Sequence, residues 1–199
     1  MSRPRLDPEV QAAFKRHRIV DALAGLCVEQ GYRATTIADV AHRARVGRGS
    51  IYEHFENREQ IFLAVLDRAT SELFERVEAA CAAADERSEE RVEAGLAALL
   101  AWVAVEPVAA WVCFVESLCA TPESFHRYLE AIARFTALLR GALPSEVPRP
   151  ETTAESLAGG VASILSGLIR AGRAESAPEL LPQLTVFLRA PFLTVGSGS

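Results

Sequence analysis

Arg48, Ser50, Tyr52 and His54 form the densest group of side chains suited to chemistry, and Arg58 follows shortly after. A guanidinium reads guanine O6 and N7 through two hydrogen bonds, and a serine hydroxyl serves either base edges or phosphate. Tyr52, His54 and Arg58 carry donors matched to phosphate oxygens. The chemistry implied is recognition of duplex DNA rather than bond making. Gly49 removes a side chain where another backbone could come close, at a cost to a helix of roughly 1 kcal/mol relative to Ala.

These groups need a small scaffold. Ile51 and Phe55 are four apart and turn toward a core, which leaves Arg48, Ser50, Tyr52 and His54 outward on a helix from Gly47, its N-cap, to His54. Upstream, Thr36 and Asp39 make a short-armed capping box. Ile37, Val40, Ala41 and Ala44 then share one helical face. That run is too short to be stable alone and must pack on something. Arg45 and Val46 form the turn between the two, with Val46 as its apolar plug. Two short helices joined this way are a helix-turn-helix, whose second helix enters the major groove. Asp7-Pro8 opens an earlier helix with the buried stripe Ile19, Ala22, Leu23, Leu26 and Cys27, ended by Gly31. Asn57 caps a fourth helix striped with Ile61, Phe62, Val65, Leu66, Ala69 and Leu73.

The 199 residues carry a formal net charge of −5, which looks wrong for a DNA binder until it is divided. Residues 1–58 hold ten Lys or Arg against seven Asp or Glu, whereas residues 59–199 hold eleven against nineteen. A mildly basic N-terminal part on an acidic remainder fits docking at one end. Cys27, Cys81, Cys113 and Cys119 show neither CxxC nor His spacing for zinc, so no metal and no cofactor is expected. No leader of signal type is visible, and the apolar runs at 96–105 and 157–169 fall short of the roughly 18 residues a membrane span needs. A soluble, reduced, cytoplasmic protein without membrane contact is the expectation. The final Gly196, Ser197, Gly198 and Ser199 read as a flexible tail.

The apolar half of the composition and the lack of alternating strand patterns point to an all-α protein. Residues 1–57 would be a three-helix domain and residues 58–199 a six-helix domain, with breaks at 83–88, 106–107, 121–122, 143–150 and 171–177. Trp102, Trp111, Phe114, Phe125, Tyr128 and Phe135 gather in the middle of the second domain, with Cys113, Glu116 and His126 among them. An apolar, aromatic pocket with a few polar groups is the usual form of a ligand site, but aromatics at helical spacing serve equally well as plain core. Glu116 between apolar neighbours needs a partner or the surface. No nucleophile, base and orienter occur together, and the cysteines lack activating basic neighbours, so an enzyme is not expected. Leu157, Val161, Ile164, Leu165 and Leu168 make one apolar stripe, and Leu184, Phe187 and Leu188 belong to a second. Paired with a second copy, the two helices would give a four-helix bundle. A homodimer is favoured because one short helix reads too few bases.

Gly31-Tyr32, Thr35-Thr36-Ile37, Val40-Ala41, Val46, Gly49-Ser50-Ile51-Tyr52, His54-Phe55 and Arg58-Glu59 together resemble the TetR-type transcriptional regulators, over roughly residues 16–66. The resemblance implies that Thr36, Tyr52, His54 and Arg58 grip phosphates while Arg48, Gly49 and Ser50 face the bases. It also implies a cavity for a small effector, with Trp102, Trp111, Phe114, Glu116, His126 and Phe135 as candidate lining. The expected protein is a dimeric regulator, a repressor released from a palindromic operator by an apolar or aromatic ligand. Two residues depart from the pattern. Arg45 stands where a turn glycine is usual, implying a strained turn or an added phosphate contact, and Gly47 stands where a Ser-like cap is common.

Overall fold

The computed structural model describes residues 7–84 and 88–195, and residues 196–199 lie outside it. Among the described residues the protein is all-helical: α1 (Pro8–Gln30), α2 (Ile37–Ala44), α3 (Arg48–Tyr52), α4 (Arg58–Ala83), α5 (Ser88–Val105), α6 (Pro107–Phe114), α7 (Pro122–Ala142), α8 (Pro150–Arg170) and α9 (Leu181–Val195). Short 3-10 turns at Glu116–Leu118 and Ala174–Leu180 join α6 to α7 and α8 to α9. The chain divides into two compact units, Met1–Asp67 and Arg68–Ser199. The sequence suggested a division after residue 57. The observed one lies within α4, because Ile61, Phe62, Val65 and Leu66 at its start are buried in the first unit.

In the first unit the local signals act as their chemistry predicts. The Asp7 carboxylate accepts from the Glu9 N–H at 3.0 Å, and Pro8 occupies the first helical position, where no amide proton is missed. Gly31 ends α1 at φ 81°, a backbone that costs glycine least. The Asn57 side chain accepts from the Gln60 N–H at 2.9 Å and so caps α4. The core is Ile19, Leu23 and Cys27 of α1, Val40 of α2, Ile51 of α3 and Phe62 of α4, all fully buried. Tyr32 tilts against Phe62 with ring centroids 4.9 Å apart.

In the second unit α7 packs along α8, α6 on α8, and α5 on α9 and the second 3-10 turn. Prolines 107, 122 and 150 all stand in first turns, so each interrupts the chain without breaking a helix. Thr121 and Ser124 cap α7 reciprocally, and the Ser124 hydroxyl, fully buried, also donates to the Ser117 carbonyl at 2.9 Å. No single described helix is long and apolar enough to cross a membrane.

Candidate nucleic-acid interface

The reading element depends on how α2 stops. Thr36 caps α2 in a full capping box: its hydroxyl accepts from the Asp39 N–H at 3.2 Å, and the Asp39 carboxylate accepts from the Thr36 N–H at 2.8 Å. The Thr36 hydroxyl also donates to that carboxylate at 2.7 Å. These bonds, the hydroxyl first and the amide next, hold the Asp39 carboxyl below the usual carboxylate value. At the other end Arg45 is left-handed, at φ 52° and ψ 48°. Its N–H donates to His42 and the Val46 N–H to Ala41, the paired bonds of a Schellman stop. Arg45 thus fills a position that glycine would fill without strain. Val46 is half-buried.

The α-helix that follows is shorter than the sequence suggested, covering Arg48–Tyr52 rather than reaching His54. Glu53 remains right-handed, and the His54 and Phe55 amides still donate to Ile51, so the backbone turns onward without a further full helical turn. Gly47 caps it with no side-chain bond. Ile51 and Phe55 are buried, as their spacing required. A Cβ on Gly49 would meet nothing within 4 Å among the described residues, so no described contact accounts for a glycine there.

The outward side chains do not all stand free. Arg45, Arg48 and Tyr52 are exposed, Tyr52 at 58%, and no described side chain binds them. The Ser50 hydroxyl is half-buried and donates to the Glu53 carboxylate at 3.2 Å. His54 was expected outward, but it is half-buried with Nε2 fully enclosed and without a described partner. Arg58 was expected on phosphate, but it donates to the Thr35 carbonyl and lies over the Tyr32 ring at 4.2 Å. Arg58 therefore fixes the start of α4 against the loop before α2. The exposed Thr36 hydroxyl is occupied by its cap.

Four further α1 positions support this element, and neither spacing nor residue type singles them out in the sequence. The Arg18 guanidinium donates to the Ala44 carbonyl and, at 3.2 Å, to that of Arg45. Arg16 lies over the Phe55 ring at 4.9 Å. Arg43 of α2 crosses α1 at Gly25, where a Cβ would sit 2.6 Å from its guanidinium, and reaches Glu29 at 2.5 Å. Arg16 and Arg18 precede the buried stripe of α1, and this adjacency was the only signal of their role.

In the second unit Phe114 and Phe135 line a cavity, whereas Trp102, Trp111, Glu116 and His126 do not. Trp102 is core, fully buried with its indole N–H unpartnered among the described residues. Trp111 donates to the buried Glu116 carboxylate at 3.3 Å, which supplies the partner that residue needed. His126 is exposed beside Glu130 at 3.4 Å. Burial pushes the Cys113 thiol up to about 12, so it is held neutral rather than activated. Of the two apolar stripes, Leu157, Val161, Leu165, Leu184 and Leu188 are buried within this chain. Ile164 at 44% and Phe187 at 40% stay exposed, as does Val186, and Leu168 is half-buried.

The model of the family "Bacterial regulatory proteins, tetR family" matches residues 19–65, the span that holds α2 and α3. The HTH-type transcriptional repressor KstR2 of Rhodococcus jostii (strain RHA1) is 34% identical over 74 residues, which are 37% of this chain and 36% of that protein. The A-factor receptor protein of Streptomyces griseus is 40% identical over 53 residues, 27% of this chain and 19% of that protein. The matched segment thus spans about a third or less of these relatives' own length. Across nearly the full chain the fold is shared with the fatty acid degradation regulator FadR from Bacillus halodurans, at TM-score 0.77 and 17% identity, covering 94% of this chain and 97% of that one. The FadR of Bacillus subtilis in complex with stearoyl-CoA gives TM-score 0.77 at 18% identity, covering 88% of this chain and 98% of that one. KstR2 is named as a transcriptional repressor and the two FadR proteins as regulators. Over residues 19–65 the chain is thus similar to the tetR family of bacterial regulatory proteins.

Proposed function

We propose that the protein is a dimeric, sequence-specific DNA-binding repressor released from a palindromic operator by a small apolar ligand, acting in the cytoplasm. The observation that carries the reading is the exposed face of α3, where Arg48 and Tyr52 have no partner among the described residues and Gly49 opens a space that no described residue uses. Arg48 would read guanine edges and Ser50 would assist once released from Glu53. Arg45 and Tyr52 would hold phosphates, with Thr36 adding its exposed cap. Arg58 and His54 would act by positioning.

Dimerisation would use the exposed remainder of the apolar stripes, Ile164, Leu168 and Phe187, while their buried members hold α8 and α9 in place. The two α3 helices would then enter successive major grooves on one side of the duplex, about 34–36 Å apart. The stearoyl-CoA complex of the Bacillus subtilis FadR supports a ligand site within this fold. A ligand that fits only the non-binding spacing would need to favour it by roughly 5.5 kcal/mol to turn a 99:1 population into 1:99.

The test is fluorescence anisotropy of the full chain on duplex DNA from the promoter region beside its own gene. Log affinity should fall linearly with log salt as counterions are released. No binding at low salt would refute the reading.

A further inference from the structure

The cavity of the second unit has a volume of about 280 Å³ and is walled by residues of α4 to α9. Its lining is mainly hydrocarbon, typified by Leu96, Leu99, Phe114, Phe135, Val161 and Leu188. Arg91 is the one charged residue among the described lining, and because it is exposed it stands at the mouth. Cys81 is the other polar side chain that matters. Its thiol, kept neutral by burial, donates to the Arg91 backbone carbonyl at 3.4 Å. A Cβ on Gly95 would lie 2.7 Å from the Cys81 sulfur, so α4 and α5 close tightly at this end.

Among the described residues the guanidinium of Arg91 has no hydrogen-bond or ion-pair partner. The thiol binds its backbone and not its side chain. Glu78, one turn before Cys81, is held by Arg134 at 2.5 Å, and no ion pair links Arg91 to a described residue. A hydrocarbon wall penalises any polar group lodged inside without a partner. A free guanidinium at the rim favours a carboxylate, which it can hold through two parallel charged bonds.

We propose that this cavity takes an amphiphilic monocarboxylate, with its hydrocarbon body inside and its carboxylate on Arg91. The proposal rests on the ligand-responsive reading above and names the chemistry that reading leaves open.

Calorimetric titration of the full chain without DNA tests it, using decanoate and naphthoate as acids of two shapes and decanol as the neutral counterpart. At least one acid should saturate one site per chain, about tenfold or more tighter than decanol, as expected for an added charged hydrogen bond. Arg91→Gln should remove that advantage and leave decanol binding unchanged, while Arg91→Lys should keep part of it. The proposal is overturned if neither acid binds, if decanol binds as tightly, or if Arg91→Gln binds the acids like the parent. An acid that binds through Arg91 yet leaves DNA affinity unchanged would uphold the site and overturn the release mechanism.

Discussion

The Arg18 guanidinium, projecting from α1, donates to the Arg45 carbonyl at 3.2 Å and to that of Ala44 beside it. Carbonyls at a helix end lack partners within the helix, and here a neighbouring helix supplies one. The bond also pins the left-handed residue that redirects the chain into α3. A non-glycine residue held there stores strain of about 1 kcal/mol or more. The direction of α3 is thus set by a contact between two arginines far apart in sequence.

Arg45→Gly should relieve that strain and stabilise the fold by about 1 kcal/mol, read as a higher urea midpoint. If Arg45 also holds a phosphate, the same variant should bind DNA more weakly, with a salt slope lower by about 1. Arg18→Ala should destabilise by about 1 kcal/mol and lower DNA affinity, although Arg18 is placed as a support and not as a reader. An unchanged midpoint in both variants would contradict the account of the turn.

Gly49→Ala separates folding from reading. Alanine gains roughly 1 kcal/mol of helix propensity, and its methyl enters open space within the chain. Thermal stability should rise and operator affinity should fall. Arg48→Ala should leave stability within about 0.5 kcal/mol of the parent and cost roughly 1–3 kcal/mol of discrimination at one base pair. A Gly49→Ala variant that binds DNA as well as the parent would show that the space faces solvent only.

The α2 cap should respond to acid in a set direction. The Asp39 carboxyl is held below its ordinary value of 3.8, chiefly by the Thr36 hydroxyl. A carboxyl depressed by folding stabilises above its ordinary value, and that contribution is lost as pH falls through the lowered one. Parent and Asp39→Asn should therefore differ in melting temperature at about neutral pH and converge in strong acid. A constant difference across that range would exclude the charged cap. Thr36→Ala should cost about 1 kcal/mol.

Ile164→Asp and Leu165→Asp, neighbours on α8, should fail in different ways. Ile164 is exposed and Leu165 fully buried. The first should give folded monomers by analytical ultracentrifugation, because it charges only the proposed pairing face. The second should unfold the second unit, since an unpaired charge in the core costs several kcal/mol. A dimeric Ile164→Asp protein would move the interface elsewhere.

The first unit was largely legible because its signals are short-range. Asp7-Pro8, Thr36 with Asp39, Gly31 and Asn57 each act within a few residues, and the structure uses all four as caps or stops. Long-range partners were not legible. Nothing near Arg58 in the sequence announces Tyr32 and the Thr35 carbonyl, and nothing near Arg18 announces Ala44. In the second unit the six α-helices and their breaks followed from proline and polar punctuation. The rotation of each helix did not. Phe135 therefore reaches the cavity while Trp102 faces the core, and Arg91, the charged residue at the mouth, drew no notice. The same rotation divides the α8 and α9 stripes between an inner and an outer face, which helical spacing alone cannot assign.

The most direct measurement is selection of a random pool of duplex DNA by the full-length protein, followed by sequencing. The account predicts enrichment of one sequence with two-fold symmetry, its half-sites about one helical turn apart, and loss of that enrichment with Arg48→Ala. A pool that stays random after repeated rounds at low salt, or that enriches equally with the Arg48→Ala protein, would contradict it.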